Sequence, residues 1–167
     1  GDLTITTKEE LLQFAQSVSD GESYAGKTVV LAANLSLAGE DFAGIGSSAA
    51  PFKGTFDGQN HIISDLSSSV GFFAEVNGGT VKNLIVRGSV KGSSNIAGIV
   101  GKLTAGTVQN CGNEANVDGG ANVGGVVGSV NGDCTVSGCY NSGAVSGSTG
   151  YIGGVTGQHW RAGTVEN

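Results

Sequence analysis

The 167-residue chain contains no methionine and one proline, and charged residues occupy only 13% of its positions. The shortage of proline excludes a collagen-like chain, which needs abundant proline as well as glycine at every third position. A disordered chain would be rich in charge or proline and poor in apolar residues, whereas valine, isoleucine and leucine recur throughout this one. No stretch approaches the roughly 20 apolar residues of a membrane-spanning helix. We therefore expect a folded chain without membrane insertion.

Glycine, in contrast, is abundant, with 31 residues against a typical usage of about 7%. Each glycine inside a helix costs about 1 kcal/mol, so the composition argues against a helical bundle and for a β-rich protein with many tight bends. The formal net charge of −6 arises from the first 69 residues, because acidic and basic side chains balance in residues 70–167. Neither part has a basic patch, so nucleic acid is not an expected partner.

Residues 70–167 repeat with a period of about 27 residues. Each repeat holds three short apolar pieces separated by glycine or asparagine, and each piece is too short for a stable helix. A unit of three strands cannot bury its own apolar face, but stacked units form a continuous core. The sequence therefore predicts an all-β, single-stranded solenoid, a parallel β-helix with about 27 residues per coil. Two columns mark the repeat: Val81, Val108, Val136 and Val165, and Val90, Val117 and Val145.

Asparagine and glycine recur at one position of each repeat, Asn83, Asn110 and Gly138. These residue types adopt the left-handed backbone conformation most easily, so we predict a bend with positive φ there, with an inward asparagine ladder as the alternative or as an addition. The residues that follow them are expected to point into the core and stack. These are Leu84, Cys111 and Cys139. Two glycine sets predict tight corners or close packing: Gly98, Gly125 and Gly154, and Gly101, Gly128 and Gly157.

Residues 1–69 differ from the repeats and predict an N-terminal cap followed by the first coils of one continuous domain. Thr7 and Glu10 have the spacing of a capping box, and residues 8–19 have the apolar spacing of an amphipathic helix that Gly21 would end. The open end of a β-helix exposes its core, so we expect this helix to cover it. Residues 27–37 predict a strand, and residues 55–66 predict two strands joined by an Asp57-Gly58 turn.

The repeats resemble the GLUG-motif repeats of bacterial secreted and cell-surface proteins. The segments that carry the resemblance are Gly98–Gly101, Gly125–Gly128 and Gly154–Gly157, each followed by a Thr-Val strand, together with Asn110-Cys111, Gly138–Asn141 and the lead-in Phe52–His61. The resemblance implies a right-handed β-helix within a large, exported bacterial protein and implies no particular reaction. Some IgA-cleaving bacterial proteases carry similar repeats, but their activity needs a separate zinc domain. This chain has no His-Glu-x-x-His sequence, so that activity does not carry over.

Many β-helices cleave polysaccharides, and a glycosidase needs two neighbouring carboxyl groups. The candidate catalytic groups in this sequence are Asp57, His61 and Asp65. Asp57-Gly58 is a turn signal in itself, and His61 and Asp65 flank a strand, so the structural interpretation is favoured. Arg87 and Arg161 have no acidic cluster at matching repeat positions, and no calcium-loop spacing occurs. We therefore expect no catalytic residues, metal or cofactor. The carboxylates of the repeats stand at unmatched positions: Glu75, Glu114, Asp118, Asp133 and Glu166.

The three cysteines are Cys111 and Cys139, which share a repeat position, and Cys134. A buried ladder of thiols is favoured over a disulfide or a metal site, because free cysteine behaves as a small apolar residue. A disulfide between Cys134 and one neighbour stays open as an alternative.

A threonine column could suggest binding to ice or a crystal surface, but β-branched strand residues explain it better. The column comprises Thr80, Thr107, Thr135 and Thr164.

His159, Trp160 and Arg161 replace the small polar loop of earlier repeats. Tryptophan and arginine are common binding anchors, so this segment is the candidate surface contact, and packing against a following coil is the favoured alternative. The fourth repeat ends at Asn167 before its third strand, and the chain does not begin with methionine. We therefore expect a processed part of a longer protein, with neighbouring domains and without a dedicated C-terminal cap.

These patterns predict a non-catalytic structural or display module, with adhesion as an extension of that role. The GLUG resemblance implies that the module belongs to an exported bacterial surface protein, located outside the cell or at the cell surface, and the expected partners are host or cell-wall glycans or proteins. The alternative from a different class is a carbohydrate-binding or polysaccharide-cleaving β-helix. Regular repeats without converging titratable groups favour the first prediction.

Overall fold

The computed structural model describes residues 2–160 and 163–165, and the surroundings of their side chains through residue 158 and for Val165. Within these residues the chain forms one helix and 19 strands. The helix is α1 (Lys8–Ser19). The strands are β1 (Leu3–Ile5), β2 (Thr28–Leu31), β3 (Leu35–Ser36), β4 (Thr55–Ser68), β5 (Phe73–Asn77), β6 (Thr80–Lys91), β7 (Ser94–Ile96), β8 (Val100–Thr104), β9 (Thr107–Gln109), β10 (Gly112–Asn113), β11 (Asn116–Gly119), β12 (Ala121–Gly124), β13 (Val127–Asn131), β14 (Cys134–Ser137), β15 (Tyr140–Asn141), β16 (Val145–Gly147), β17 (Ile152–Gly153), β18 (Thr156–Trp160) and β19 (Gly163–Val165).

The strands stack in register, one coil upon the next, into a β-solenoid of about six turns. One strand sequence, β1-β2-β4-β6-β9-β14-β19, runs the length of the largest sheet, and every described strand pair is parallel. The predicted parallel β-helix with about 27 residues per coil is therefore confirmed. Its main apolar column consists of Leu3, Val29, Phe56, Val81, Val108, Val136 and Val165.

The other sides of the coil repeat the same arrangement. A four-stranded sheet contains β5, β8, β13 and β18, and a three-stranded sheet contains β7, β12 and β17. The second predicted column is in register as well, because Val117 pairs with both Val90 and Val145. Inward residues of all three sheets form one continuous apolar core along the axis, which explains how even the shortest strands persist.

Helix α1 covers the N-terminal end of this core. Thr7 accepts a hydrogen bond from the Glu10 backbone N–H, and the Glu10 carboxylate accepts one from the Thr7 backbone N–H, which completes the predicted capping box. The buried face of the helix presents Leu11, Phe14 and Val18. The Phe14 ring lies 5.7 Å from the ring of Phe52, edge to face. Aromatic packing therefore closes the end, as expected of a cap.

Two local predictions in the first coils are wrong. Residues 27–37 form two short strands, β2 and β3, instead of one. Residues 55–66 form no hairpin at Asp57-Gly58, since β4 continues through both residues and pairs in parallel with β6. The turn lies at Gln59 and Asn60, whose φ angles are 51° and 63°. A side chain at Gly58 would overlap the backbone of Asn83, so this glycine permits close stacking of coils.

The predicted bend after each Thr-Val strand is present. The φ angles are 56° at Asn83, 54° at Asn110 and 62° at Gly138. Asn60, one coil earlier, has the same conformation. The residues that follow Asn83, Asn110 and Gly138 are buried, because the bend turns the chain inward. They are Leu84, Cys111 and Cys139. Within the described residues, no helix has the length and apolar character needed to cross a membrane.

Candidate functional site

The carboxylate and imidazole groups that sequence analysis singled out connect coils to one another. Asp57 Oδ1 accepts a hydrogen bond from Asn83 Nδ2 at 3.0 Å and another from the Gln59 backbone N–H at 2.9 Å. His61 Nδ1 lies 2.9 Å from the Leu31 carbonyl oxygen. Each of these contacts binds the residue to a neighbouring coil or to its own corner.

Asp65 is engaged in the same way, because the Ser36 hydroxyl of the preceding coil donates to its carboxylate. In the part of the chain that the structure describes, no three His, Cys, Asp or Glu side chains come close enough to hold a metal ion. Asp57, His61 and Asp65 thus all lie along β4, and each is held by a separate partner instead of joining the others in an acid–base group.

A surface cluster that the sequence analysis missed consists of Arg87, Glu114 and Tyr140, one from each of three successive coils. Arg87 Nε lies 2.6 Å from Glu114 Oε1, and the Tyr140 hydroxyl donates to Glu114 Oε2 at 2.6 Å. Arg87 thus has one acidic partner at the matching repeat position, Glu114, whereas the sequence analysis considered only an acidic cluster there. Gly112, one coil before Tyr140, leaves the space that the tyrosine ring fills. Spacings of 27 and 26 residues could have revealed the cluster.

The cluster is electrostatically self-contained. The Tyr140 hydroxyl, and then the Arg87 guanidinium, lower the pKa of the Glu114 carboxyl. The hydrogen bond to Glu114 in turn raises the pKa of Tyr140 to about 12. A protonated phenol and an ionised, paired carboxylate are unsuited to proton transfer near neutral pH. The cluster therefore joins coils and does not resemble a general acid–base site.

A buried amide pair provides a second connection between coils. Asn113 is fully buried, and its Nδ2 donates to Asn141 Oδ1 at 2.8 Å and to the Ala115 carbonyl oxygen at 2.9 Å. Its Oδ1 accepts from the Ala115 backbone N–H at 3.1 Å. The glycines at Gly98 and Gly125 are required here, because a methyl group on either would overlap one of these two carboxamides. The inward asparagine ladder therefore exists, but at Asn113 and Asn141, not at the predicted bend.

The three cysteines are free and buried. This agrees with the favoured thiol ladder and not with a disulfide from Cys134.

The threonine column is longer than predicted, because Thr28 and Thr55 pair below Thr80 in the same register. The outward residues two positions further along these strands are chemically mixed: Val30, Asp57, Lys82, Gln109 and Ser137. A regular crystal-binding face does not result.

The structure does not describe the side chains of the predicted contact segment, which consists of His159, Trp160 and Arg161. Arg161 lies outside the described residues, and the structure describes the backbone of His159 and Trp160 within β18 without their side chains. That prediction therefore stays a prediction.

Two adjoining grooves on the solenoid surface share Lys91. The first has a volume of about 480 Å³ and extends from Asp41 past Ser67 and Ser89 to Lys91. The second, of about 400 Å³, continues from Lys91 to Asp118 and Ser148. Backbone register explains their alignment, since Ser67 pairs with Ser89 and Lys91 pairs with Asp118. No sequence motif marks these serine-lined grooves, because their residues come from five separate segments.

Comparison with known proteins supports the fold. No protein-family model matches the chain, and no curated protein sequence matches it. Among solved structures, the chain is similar to a Bacteroides ovatus protein named a putative immunoglobulin A1 protease, with a TM-score of 0.68 and 21% sequence identity. The match covers 96% of this chain and 62% of that one. At this identity the likeness establishes the β-solenoid architecture and leaves activity undetermined.

Proposed function

We propose that this chain is a non-catalytic structural and display module of an exported bacterial surface protein. The observation that carries the proposal is the use of its polar side chains. Eight of the described side chain–side chain hydrogen bonds join residues 26 to 29 positions apart, which is one coil length. The carboxylates that a hydrolase would need are engaged in these connections, so the surface chemistry serves stacking.

The bacterial solenoid neighbour supports a place within a larger bacterial protein, since this chain spans 62% of that structure. The neighbour's name refers to a protease of immunoglobulin A1. We propose that any such activity resides outside residues 1–167, because the candidate groups Asp57, His61 and Asp65 each serve a neighbouring coil. On this proposal the solenoid holds other domains at a fixed distance or presents its own surface for adhesion.

Single-molecule force spectroscopy tests the structural role directly. The chain, attached at its two ends and pulled, is expected to extend stepwise as coils peel away. Each coil of about 27 residues should release about 90 Å. Replacement Asn113→Ala should lower the force for the coils that Asn113 joins, whereas Lys53→Ala, at an exposed site, should not. Unfolding at forces too low to resolve, in both variants and the parent, would contradict a mechanical role.

A screen of uronate and neutral polysaccharides, together with immunoglobulin A1 as substrate, tests the absence of catalysis. We expect no turnover. The proposal fails if any polymer is cleaved and Asp57→Ala or Asp65→Ala abolishes the cleavage. Asp133→Ala is the matched control, because that carboxylate is exposed in a loop.

Carbohydrate binding is the second candidate, and the groove around Lys91 favours it. Serine hydroxyls, a lysine and aspartates line the two grooves, whose volumes are about 480 Å³ and 400 Å³. Such groups form hydrogen bonds with sugar hydroxyls. A glycan array with the parent chain and Lys91→Ala distinguishes the candidates. Binding that Lys91→Ala removes and Lys53→Ala preserves would establish the groove as a glycan site. Binding unaffected by Lys91→Ala would exclude it.

A further inference from the structure

Cys111 and Cys139 occupy the same corner on adjacent coils. The residues on either side of them are backbone partners, Gln109 with Ser137 and Gly112 with Tyr140. The Tyr140 backbone N–H donates to the Cys111 carbonyl oxygen at 3.1 Å, which holds the two corners together. Adjacent strands lie about 4.8 Å apart, and the Cα atoms of disulfide-bonded cysteines are usually roughly 4.4–6.8 Å apart. The backbone spacing of adjacent coils therefore lies within the Cα range of a disulfide.

The two thiols also point in the same direction. Cys111 Sγ lies 3.7 Å from the Val81 carbonyl oxygen, and Cys139 Sγ lies 3.7 Å from the Val108 carbonyl oxygen, which is the equivalent atom one coil later. Both Cβ atoms consequently face the same side of the core, and the two sulfur atoms stack along the solenoid axis.

The two thiols differ in acidity. The hydrogen bond with the Cys111 side chain lowers the pKa of Cys139 to about 7, and the same interaction, followed by burial, raises the pKa of Cys111 well above its ordinary value. Near neutral pH, Cys139 is thus the more thiolate-like member and Cys111 keeps its proton. A reactive thiolate beside a second thiol is the arrangement found at redox-sensitive cysteines.

We propose that Cys111 and Cys139 form a disulfide between coils when the folded protein meets a peroxide. The Cys139 thiolate attacks one peroxide oxygen, which breaks the O–O bond, forms a sulfenic acid and releases hydroxide. The Cys111 sulfur then attacks the Cys139 sulfur and displaces the sulfenic oxygen, while the Cys111 proton leaves with it in water. Two thiols and one hydrogen peroxide thereby give one disulfide and two waters. A small oxidant suits this site, since both side chains are at most 5% exposed.

Cys134 serves as an internal comparison. It is equally buried, at 3% exposure, but its backbone partner on the next coil is Gly163. On the previous coil, Thr107 is the backbone partner of Thr135. Gly106, the residue before Thr107, therefore lies opposite Cys134. Cys134 therefore stacks on glycines and has no thiol above or below it. The proposal does not depend on the proposed display function, because it rests on coil register and on the two thiols themselves.

The test is hydrogen peroxide treatment of the native chain, followed by thiol counting under denaturing conditions and by intact mass. The three free thiols should fall to one, with the mass of two hydrogens lost. Proteolysis after Glu114 separates Cys111 from the other two cysteines, so the expected disulfide keeps two peptides linked until reduction. The Cys134→Ala variant should retain the link, and Cys111→Ala and Cys139→Ala should lack it.

Three outcomes would overturn the proposal. One is a link that contains Cys134, and another is a gain of oxygen mass at Cys139 without a link. The third is a folded protein that keeps three thiols in peroxide but loses two of them once unfolded in urea. Fragmentation of the linked peptides by tandem mass spectrometry distinguishes Cys134 from Cys139, which share one peptide, and gives the answer for the unsubstituted chain even where a variant fails to fold. The rate of disulfide formation should increase as the pH rises past about 7, the pKa of Cys139, and not only at the higher pKa of an ordinary cysteine.

Discussion

Gly98 and Asn113 are predicted to be energetically coupled, although they lie on different sides of one coil. A methyl group placed on Gly98 would overlap the Asn113 carboxamide, whose Oδ1 and Nδ2 are both held by hydrogen bonds. Gly98 has ordinary backbone angles, so alanine there brings no φ strain of its own. The perturbation is therefore a three-variant cycle of Gly98→Ala, Asn113→Ala and the double replacement.

The magnitudes follow from the three hydrogen bonds of Asn113. At about 1 kcal/mol for each, Asn113→Ala should cost about 3 kcal/mol. Gly98→Ala should cost a similar amount, about 2–3 kcal/mol, because it either expels the carboxamide or overpacks the core. In the double variant the carboxamide is gone, and the nearest remaining contact is the Gly125 carbonyl oxygen at 3.0 Å. The double variant should then cost only about 3–4 kcal/mol, which is less than the sum of the single costs.

Urea unfolding followed by circular dichroism measures these costs, provided that the m-value stays constant. The matched control is Gly154→Ala, at the same repeat position, where the nearest atom is Asn141 Nδ2 at 4.0 Å. That variant should change stability by less than about 1 kcal/mol, with stabilisation expected because alanine restricts the unfolded chain. Additive costs in the cycle, or a Gly98→Ala variant as stable as Gly154→Ala, would refute the packing argument.

Three further variants test individual connections. Thr7→Ala should destabilise the chain by about 1 kcal/mol in urea, since it removes the helix cap, whereas Thr7→Asn should not. Asn110→Ala should cost about 1 kcal/mol because its φ is 54°, and Asn110→Gly should be nearly neutral. Tyr140→Phe should destabilise near neutral pH. This difference should fade as pH drops through the lowered pKa of Glu114, and again as pH rises from 10 towards the raised pKa of Tyr140, about 12.

The columns of the solenoid could be predicted from sequence because burial constrains them. Val81, Val108 and Val136 face one core and stack on one another, so each coil needs an apolar residue at that position. The Asp57-Gly58 prediction failed because it rested on local turn chemistry. Pairing of β4 with both neighbouring coils outweighed that preference, as tertiary contacts often do.

The connections between coils could not be predicted in the same way, because their members differ from coil to coil. Arg87, Glu114 and Tyr140 form one cluster from three unlike residues. Asn113 and Asn141 bond to each other, yet Val86 takes the place of Asn113 on the coil before. A search for identical residues at the repeat period misses such pairs, whereas a search for complementary residues at the same period would have found them.

Coil length provides a last test of how the register is maintained. Residues Val117 and Val123 are six positions apart, but their partners Val145 and Ile152 are seven apart, and both pairs are in register. The extra residue lies in the exposed segment that ends at Gly150, where φ is 76°. A Ser-Gly insertion after Gly150 should therefore cost less than about 1 kcal/mol. One glycine inserted between Thr135 and Val136 should cost more than about 3 kcal/mol, because it turns the buried valine outward and reverses the faces of β14. Equal urea midpoints for the two insertions would mean that burial of the column does not set the register.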